Sequence, residues 1–193
     1  LTTAFTDQGS IEFAVAAVSP AGQNHLPTFA QFRAATSGAP LVLYMAYKGW
    51  YNKWDGTTLT RLTGTTNAPV GDLIQPYHTR MFARDANYPK HLFWSRIGDA
   101  SYWTTGNKAD GGSAMLDTLT GEEITGMTVI GSSLLITTPS STIRFTGISS
   151  DDIVIQQDTE GISSDVGAYS TRGLIPVENI AAMISERGLY AVN

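Results

Sequence analysis

The stretch that decides the fold runs from Ile124 to Gly147. It reads Ile124-Thr125-Gly126-Met127-Thr128-Val129-Ile130, then Gly131-Ser132, then Ser133-Leu134-Leu135-Ile136-Thr137. After Thr138-Pro139-Ser140 the chain continues as Ser141-Thr142-Ile143-Arg144-Phe145-Thr146-Gly147. Short runs rich in β-branched and apolar residues, bounded by Gly, Ser and Pro, are the signature of antiparallel strands joined by tight turns. None has the length or the 3.6-residue period of a helix. The same cadence continues upstream through Arg80-Met81-Phe82-Ala83, His91-Leu92-Phe93-Trp94-Ser95, Gly98-Asp99 and Tyr102-Trp103. The fold class read from this pattern is all-β.

The rest of the chain divides the same way. Residues 1–27 are expected to hold one N-terminal strand, 10–18, and a linker marked by Ser19-Pro20-Ala21-Gly22 and Pro27. A first meander over 28–63 has expected strands at 29–34, 41–47, 50–54 and 59–62. Asp55-Gly56 predicts a type I′ hairpin turn, whose central residues need positive φ. A second meander, 77–117, has expected strands at 79–83, 91–95 and 102–104 and a last one around Met115-Leu116, with 105–112 as a polar loop. The third, 124–157, adds 153–156 to the three runs quoted above. The fourth, 168–193, has expected strands at 168–170, 173–177, 180–185 and 189–192, with a turn at Glu186-Arg187-Gly188, and is expected to be incomplete. A spacing of roughly 45 residues matches the four-stranded blade of a β-propeller. A propeller-like body over 28–193 is therefore expected, with a β-sandwich or an irregular β assembly as the alternative.

Composition narrows the function classes. The chain has 193 residues, enough to bury a core, and 42% of them are hydrophobic. Charged residues make up only 15%, against the usual quarter. Ser and Thr supply about a fifth of the chain, which suits polar strand faces and turns. The net charge of −5, with Lys and Arg scattered singly, argues against a nucleic-acid platform. There is no cysteine, hence no disulfide and no thiolate metal site. No apolar stretch approaches the roughly 18 residues of a membrane span. A chain beginning at Leu1 rather than Met is expected to be processed or truncated.

Several motifs together carry a resemblance. Arg80-Met81-Phe82, Leu92-Phe93-Trp94-Ser95 with Gly98-Asp99 and Tyr102-Trp103, Ile124-Thr125-Gly126-Met127 and Leu134-Leu135-Ile136 form its first part. Ile143-Arg144-Phe145-Thr146-Gly147 and Gly188-Leu189-Tyr190 complete it, with Trp54-Asp55-Gly56 as a weaker upstream match. The series resembles the propeller-bearing tail, nozzle and hub or stopper proteins of tailed bacteriophages, over roughly residues 77–193. The resemblance implies a ring-forming, non-enzymatic virion component of the tail or neck. Its partners would be copies of itself and other tail or neck proteins, with genomic DNA only as passing cargo. It supplies no catalytic, cofactor-binding or metal-binding residue.

His25, His78 and His91 have no metal-binding spacing, so no metal site is expected from them. Ser95 lacks the Gly-x-Ser-x-Gly elbow of a nucleophile and reads as a strand end. Glu122-Glu123 and Asp151-Asp152 are adjacent carboxylates, which on a strand point to opposite faces and cannot act together. Asp151, Asp152, Asp158, Glu160 and Asp165 form an acidic cluster that could offer oxygen ligands to calcium, but without a D-x-D-x-D-G series. They read as a solvated rim. Asp99 reads as a turn residue bonding its own backbone. Trp50, Tyr51, Trp54, Trp94, Tyr102 and Trp103 could form a sugar-stacking platform or fill blade cores. The alternative function is thus a carbohydrate-binding (adhesin or glycosidase-like) propeller. No catalytic residue and no cofactor are expected.

Overall fold

The computed structural model describes residues 27–47, 49–65, 67–116, 121–148, 152–156 and 165–192. The expected strand at 10–18 lies outside them. The described residues form fifteen strands and one short 3-10 turn, Thr171–Gly173. The first sheet comprises β1 (Thr28–Arg33), β2 (Leu41–Tyr47), β3 (Trp50–Trp54) and β4 (Leu59–Arg61). The second comprises β5 (Gly71–Tyr77), β6 (Arg80–Asp85), β7 (His91–Trp94) and β8 (Gly112–Met115). The third comprises β9 (Gly126–Ile130), β10 (Ser133–Thr137), β11 (Thr142–Thr146) and β12 (Val154–Gln156). The fourth has three strands, β13 (Leu174–Val177), β14 (Ile180–Ser185) and β15 (Gly188–Val192). In every sheet the strands lie side by side in chain order, each antiparallel to the next. The chain is all-β, and its described residues are built of four meanders.

The sheets stack in sequence through their first strands. β1 packs beside β5, β5 beside β9, and β9 beside β13. Three cores fill the junctions. Phe32, Tyr44 and Tyr51 of the first sheet meet Ile74, Met81 and Ala83 of the second. Phe82, Leu92 and Trp94 of the second meet Leu134, Ile136 and Phe145 of the third. Leu135 of the third meets Leu174, Ala181 and Met183 of the fourth. Side chains along a strand alternate between faces, so β6 sends Met81 and Ala83 one way and Phe82 the other. β10 likewise divides Leu134 and Ile136 from Leu135. A strand covered on both faces reads as a continuous apolar run, which is why β6 and β10 were the plainest strands in the sequence.

Five local expectations are corrected. The second meander starts at Gly71, not Tyr77. Its first strand contains Gly71, Asp72 and Pro76, and Pro76 is tolerated because β5 is an edge strand of its sheet. Residues 102–104 form a loop rather than a strand, while β8 begins at Gly112, the last residue of the expected loop. Residues 168–170 are not a strand but lead into the 3-10 turn. Asp55-Gly56 does not make a two-residue type I′ turn, because Trp54 pairs with Leu59 and the connection has four residues. Gly56 has φ +105° while Asp55 keeps an ordinary φ. The Asp55 carboxylate holds the loop instead, accepting from the N–H groups of Thr57 (2.9 Å) and Thr58 (2.8 Å).

Candidate functional site

A network of buried polar contacts lies around β6, at the junction of the second and third sheets. Arg80, Phe82 and Arg84 share one face of this strand by the two-residue period. Phe82 enters the core between the sheets. The two arginines, on either side of it, reach the chain just after β11 and just before β9. Arg80 is 1% exposed. Its Nε donates to the Ile148 carbonyl at 2.6 Å, and its Nη1 donates to the carbonyls of Ser95 and Asp110, both at 2.6 Å. Its Nη2 donates to the Lys108 carbonyl at 2.8 Å. One guanidinium thus ties the end of β7, the 105–111 loop and the segment after β11 to the start of β6. Burial lowers its pKa, and the nearby Asp152 and Asp110 charges act the other way.

Arg84 forms a bidentate pair with Asp72, Nε to Oδ1 at 2.8 Å and Nη2 to Oδ2 at 2.5 Å. Its remaining nitrogen donates to the Ile124 carbonyl, just before the third sheet. The fork geometry of guanidinium suits such multiple acceptance. Neither arginine was singled out for such a role in the sequence. The signal available was the pairing of Arg80 and Arg84 about Phe82 at two-residue spacing. Their carbonyl partners, up to 68 residues away along the chain, carry no side-chain signature.

The sequence-derived candidates fall into structural roles one after another. The Ser95 hydroxyl accepts from the Met81 N–H at 2.9 Å and donates to the Arg96 carbonyl at 3.1 Å, within a fully buried residue. Asp99 accepts from the Ser101 N–H at 2.8 Å, closing its turn as expected. Glu122 and Glu123 separate: Glu123 is exposed, while Glu122 accepts from Thr138 Oγ1 (2.8 Å), the Ser140 N–H (2.9 Å) and Ser140 Oγ (2.7 Å). Glu122 therefore holds the four-residue connection between β10 and β11. Asp152 accepts from the Ile148 N–H at 2.9 Å. Asp151, Asp158 and Glu160 of the acidic cluster lie outside the described residues, as does His25. His78 sits in the β5–β6 turn at φ +50°, and His91 lies between Tyr88 and Phe93. Among the described residues no three His, Asp or Glu side chains converge to hold a metal ion.

The aromatics divide. Tyr51, Trp94 and Trp103 are buried in the cores. Tyr51 stacks on Tyr44 at 5.6 Å and meets Trp103 edge-on at 5.5 Å. Tyr51 Oη and Trp103 Nε1 both donate to the Ala100 carbonyl, at 2.8 and 3.0 Å. Burial raises the Tyr51 pKa well above its ordinary value. Tyr102 is half-buried with the Arg96 guanidinium 5.3 Å from its ring. Only Trp50 and Trp54 lie together toward solvent, on one face of β3, and Trp50 is covered by the Arg61 guanidinium 4.1 Å from its ring.

Apolar side chains also reach the surface of the described residues. On the face of the first sheet turned away from the second, Phe29 (54%), Leu41 (47%) and Trp50 (36%) reach the surface, while Met45, Tyr47 and Asn52 on the same face are buried, so that face is covered in part. The face of the fourth sheet turned away from the third exposes Ile175, Val177, Ile180, Ile184 and Leu189, the last at 76%. Large contiguous apolar patches on a folded protein mark surfaces that meet another molecule. No helix among the described residues is long and apolar enough to cross a membrane. Comparison with protein-family models finds no match, and comparison with curated proteins finds none either.

Proposed function

We propose that this chain is a non-enzymatic virion structural protein, a ring-forming component of a tailed-phage tail, neck or nozzle. In this reading the four meanders are blades of a propeller-like body set around the DNA channel. The observation that carries it is the stack itself: four sheets packed in chain order through their first strands, with an exposed apolar face on the fourth sheet. The polar groups best suited to chemistry, Ser95, Glu122 and Asp99, are occupied in holding loops and strand ends. Such a body offers a rigid scaffold and surfaces for neighbours, which is what a ring component needs. The net charge of −5 would let DNA pass a channel wall without adhering, because like charges repel.

The carbohydrate-binding reading draws on Trp50 and Trp54. It is less favoured because Tyr51, Trp94 and Trp103 are buried, leaving no extended platform of these aromatics among the described residues. Electron microscopy of the purified chain and of the particle that carries it tests the proposal. Rings of identical copies at a tail or neck are the expected result. A free monomer absent from any particle, with glycan-array binding abolished by Trp54→Ala, would overturn it in favour of sugar binding.

A further inference from the structure

The outer face of the fourth sheet carries no polar side chain among the described residues. Leu174, Ala181, Met183 and Val192 point into the core shared with the third sheet. Alternation along the strands therefore sends Ile175 and Val177 of β13 to the opposite face, with Ile180, Ala182 and Ile184 of β14. Leu189 and Ala191 of β15 complete that face, paired with Ile184 and Ala182. All but Ala182 are exposed. Together they leave on the order of 600 Å² of apolar surface uncovered, the upper end of what a monomer shows and near the roughly 800 Å² per partner of a standard interface. Between the sheets of this chain, apolar faces of this kind are covered by another sheet. The first sheet offers no match for it, because its outer face mixes Phe29 with Gln31 and Arg33 and is covered in part.

The two ends of this face differ in charge. At one end lies the β13–β14 turn, with Glu178. At the other lie the β14–β15 turn, with Glu186 and Arg187, and the 3-10 turn that leads into β13, with Arg172. The Tyr169 N–H donates to the Ile184 carbonyl at 3.1 Å, which holds that last segment beside the second end. All four charged residues are exposed. One end is thus acidic and the other carries a net positive charge, with only apolar side chains between them. A face of this polarity is complementary to itself when turned end for end. A two-fold axis across the strands sets β14 of one copy antiparallel to β14 of the other and brings Glu178 against Arg187 twice. Ile184 and Leu189 then lie over Val177 and Ile180 of the second copy, a row that pairs in β13 and β14. The small central pair, Ala182 and Ala191, lets the two sheets approach to the usual spacing of about 10 Å. The parallel arrangement would instead set like-charged ends together, which is costly.

We propose that the outer face of the fourth sheet binds the same face of a second copy of this chain, the two sheets packed face to face and end for end about a two-fold axis. The contact is isologous, each copy giving the same patch, and two packed sheets are an ordinary sandwich. The apolar rows supply the burial, while the charged ends fix the orientation rather than the affinity. A two-fold contact closes at two copies and makes no ring by itself. The inference therefore stands apart from the ring-forming contact of the function proposed above; where rings form, it would pair one ring with another.

The test is sedimentation of the full chain and of Leu189→Asp at micromolar concentration. Leu189 is 76% exposed, and near-UV circular dichroism checks that the variant keeps its fold; Ile184→Asp serves in its place if it does not. Leu189→Asp should halve the mass of the assembly, from dimer to monomer or from paired to single rings. In a two-fold contact each substitution is felt twice, so the dissociation constant should rise at least about a hundredfold. Glu178→Arg and Arg187→Glu read the orientation. Each alone should weaken association about three- to tenfold. An equimolar mixture of the two should regain it, because opposite charges again meet at both ends. A full chain that is monomeric at these concentrations would overturn the proposal. A mass unchanged in both aspartate variants would also overturn it and leave the ring reading standing. A ring that falls straight to monomers in Leu189→Asp would overturn it in favour of a head-to-tail contact through this face. A mixture of charge variants no tighter than either alone would overturn the end-for-end packing.

Discussion

Replacing Arg80 by Met separates a clamp from a passenger. The Arg80 guanidinium makes four hydrogen bonds of 2.6 to 2.8 Å to carbonyls of Ser95, Asp110, Lys108 and Ile148. Hydrogen bonds from a charged donor contribute about 1.5–3 kcal/mol each, so the gross loss is on the order of 6–12 kcal/mol. Against this stands the cost of burying a cation, several kcal/mol, which Met does not incur. Met also fills most of the aliphatic volume. Three of the four carbonyls lie near enough to the surface for water to replace the lost donor; the Ser95 carbonyl is buried. The net expectation is a destabilisation of about 2–4 kcal/mol, or roughly 5–15 °C in Tm for a chain of this size. Arg80→Lys should fall between, since an ammonium keeps the charge but cannot fork toward four acceptors. Urea unfolding at unchanged m reads the difference. Hydrogen exchange should also show the 105–111 loop released in the Met variant. A Met variant within about 0.5 kcal/mol of the wild type would refute the reasoning and show that desolvation cancels the bonds.

Three further outcomes follow from the same packing. Gly167→Ala should destabilise by several kcal/mol, because the added methyl would run into the Thr138 carbonyl oxygen and Ser141; thermal unfolding measures it. The raised pKa of Tyr51 keeps the phenol neutral in the folded state, so its contribution is complete below its ordinary value of 10.0 and is lost as the pH rises beyond it. Stability should therefore fall above about pH 10 in the wild type and fall less steeply in Tyr51→Phe, as followed by denaturant titration across that range. The carboxyl of Asp55 is held below its ordinary pKa first by the Thr58 N–H and then by Thr57. Its hold on the β3–β4 connection should persist above the ordinary carboxyl range and be lost only as the pH falls through the depressed value. Amide shifts of Thr57 and Thr58 report that titration, and Asp55→Ala should abolish it.

The sequence was most readable where a strand is covered on both sides. Met81-Phe82-Ala83 and Leu134-Leu135-Ile136 announce themselves because neither face can be polar. β5 was missed because its interior holds Asp72 and Pro76, residues an edge strand tolerates and a central one does not. Tyr102-Trp103 imitated a strand because aromatic pairs favour strands; Trp103 instead plugs the first core from a loop, anchored on the Ala100 carbonyl. The roles of Asp99 and Ser95 were legible because their partners lie within a few residues or at a strand end. Those of Arg80 and Glu122 were not, since the groups they hold are brought near only by the stacking of sheets.

That stacking has a consequence for synthesis. Each meander leaving the ribosome shields the face of the one before it and presents a new bare face of its own. The nascent chain therefore carries a single moving front of exposed apolar surface until its successor emerges. Chains halted after β8 should bind a hydrophobic dye through Phe82 and Trp94, and chains extended through β12 should release it there and bind it at Leu135 instead. Among the described residues the last face of this kind is that of Ile184 and Leu189.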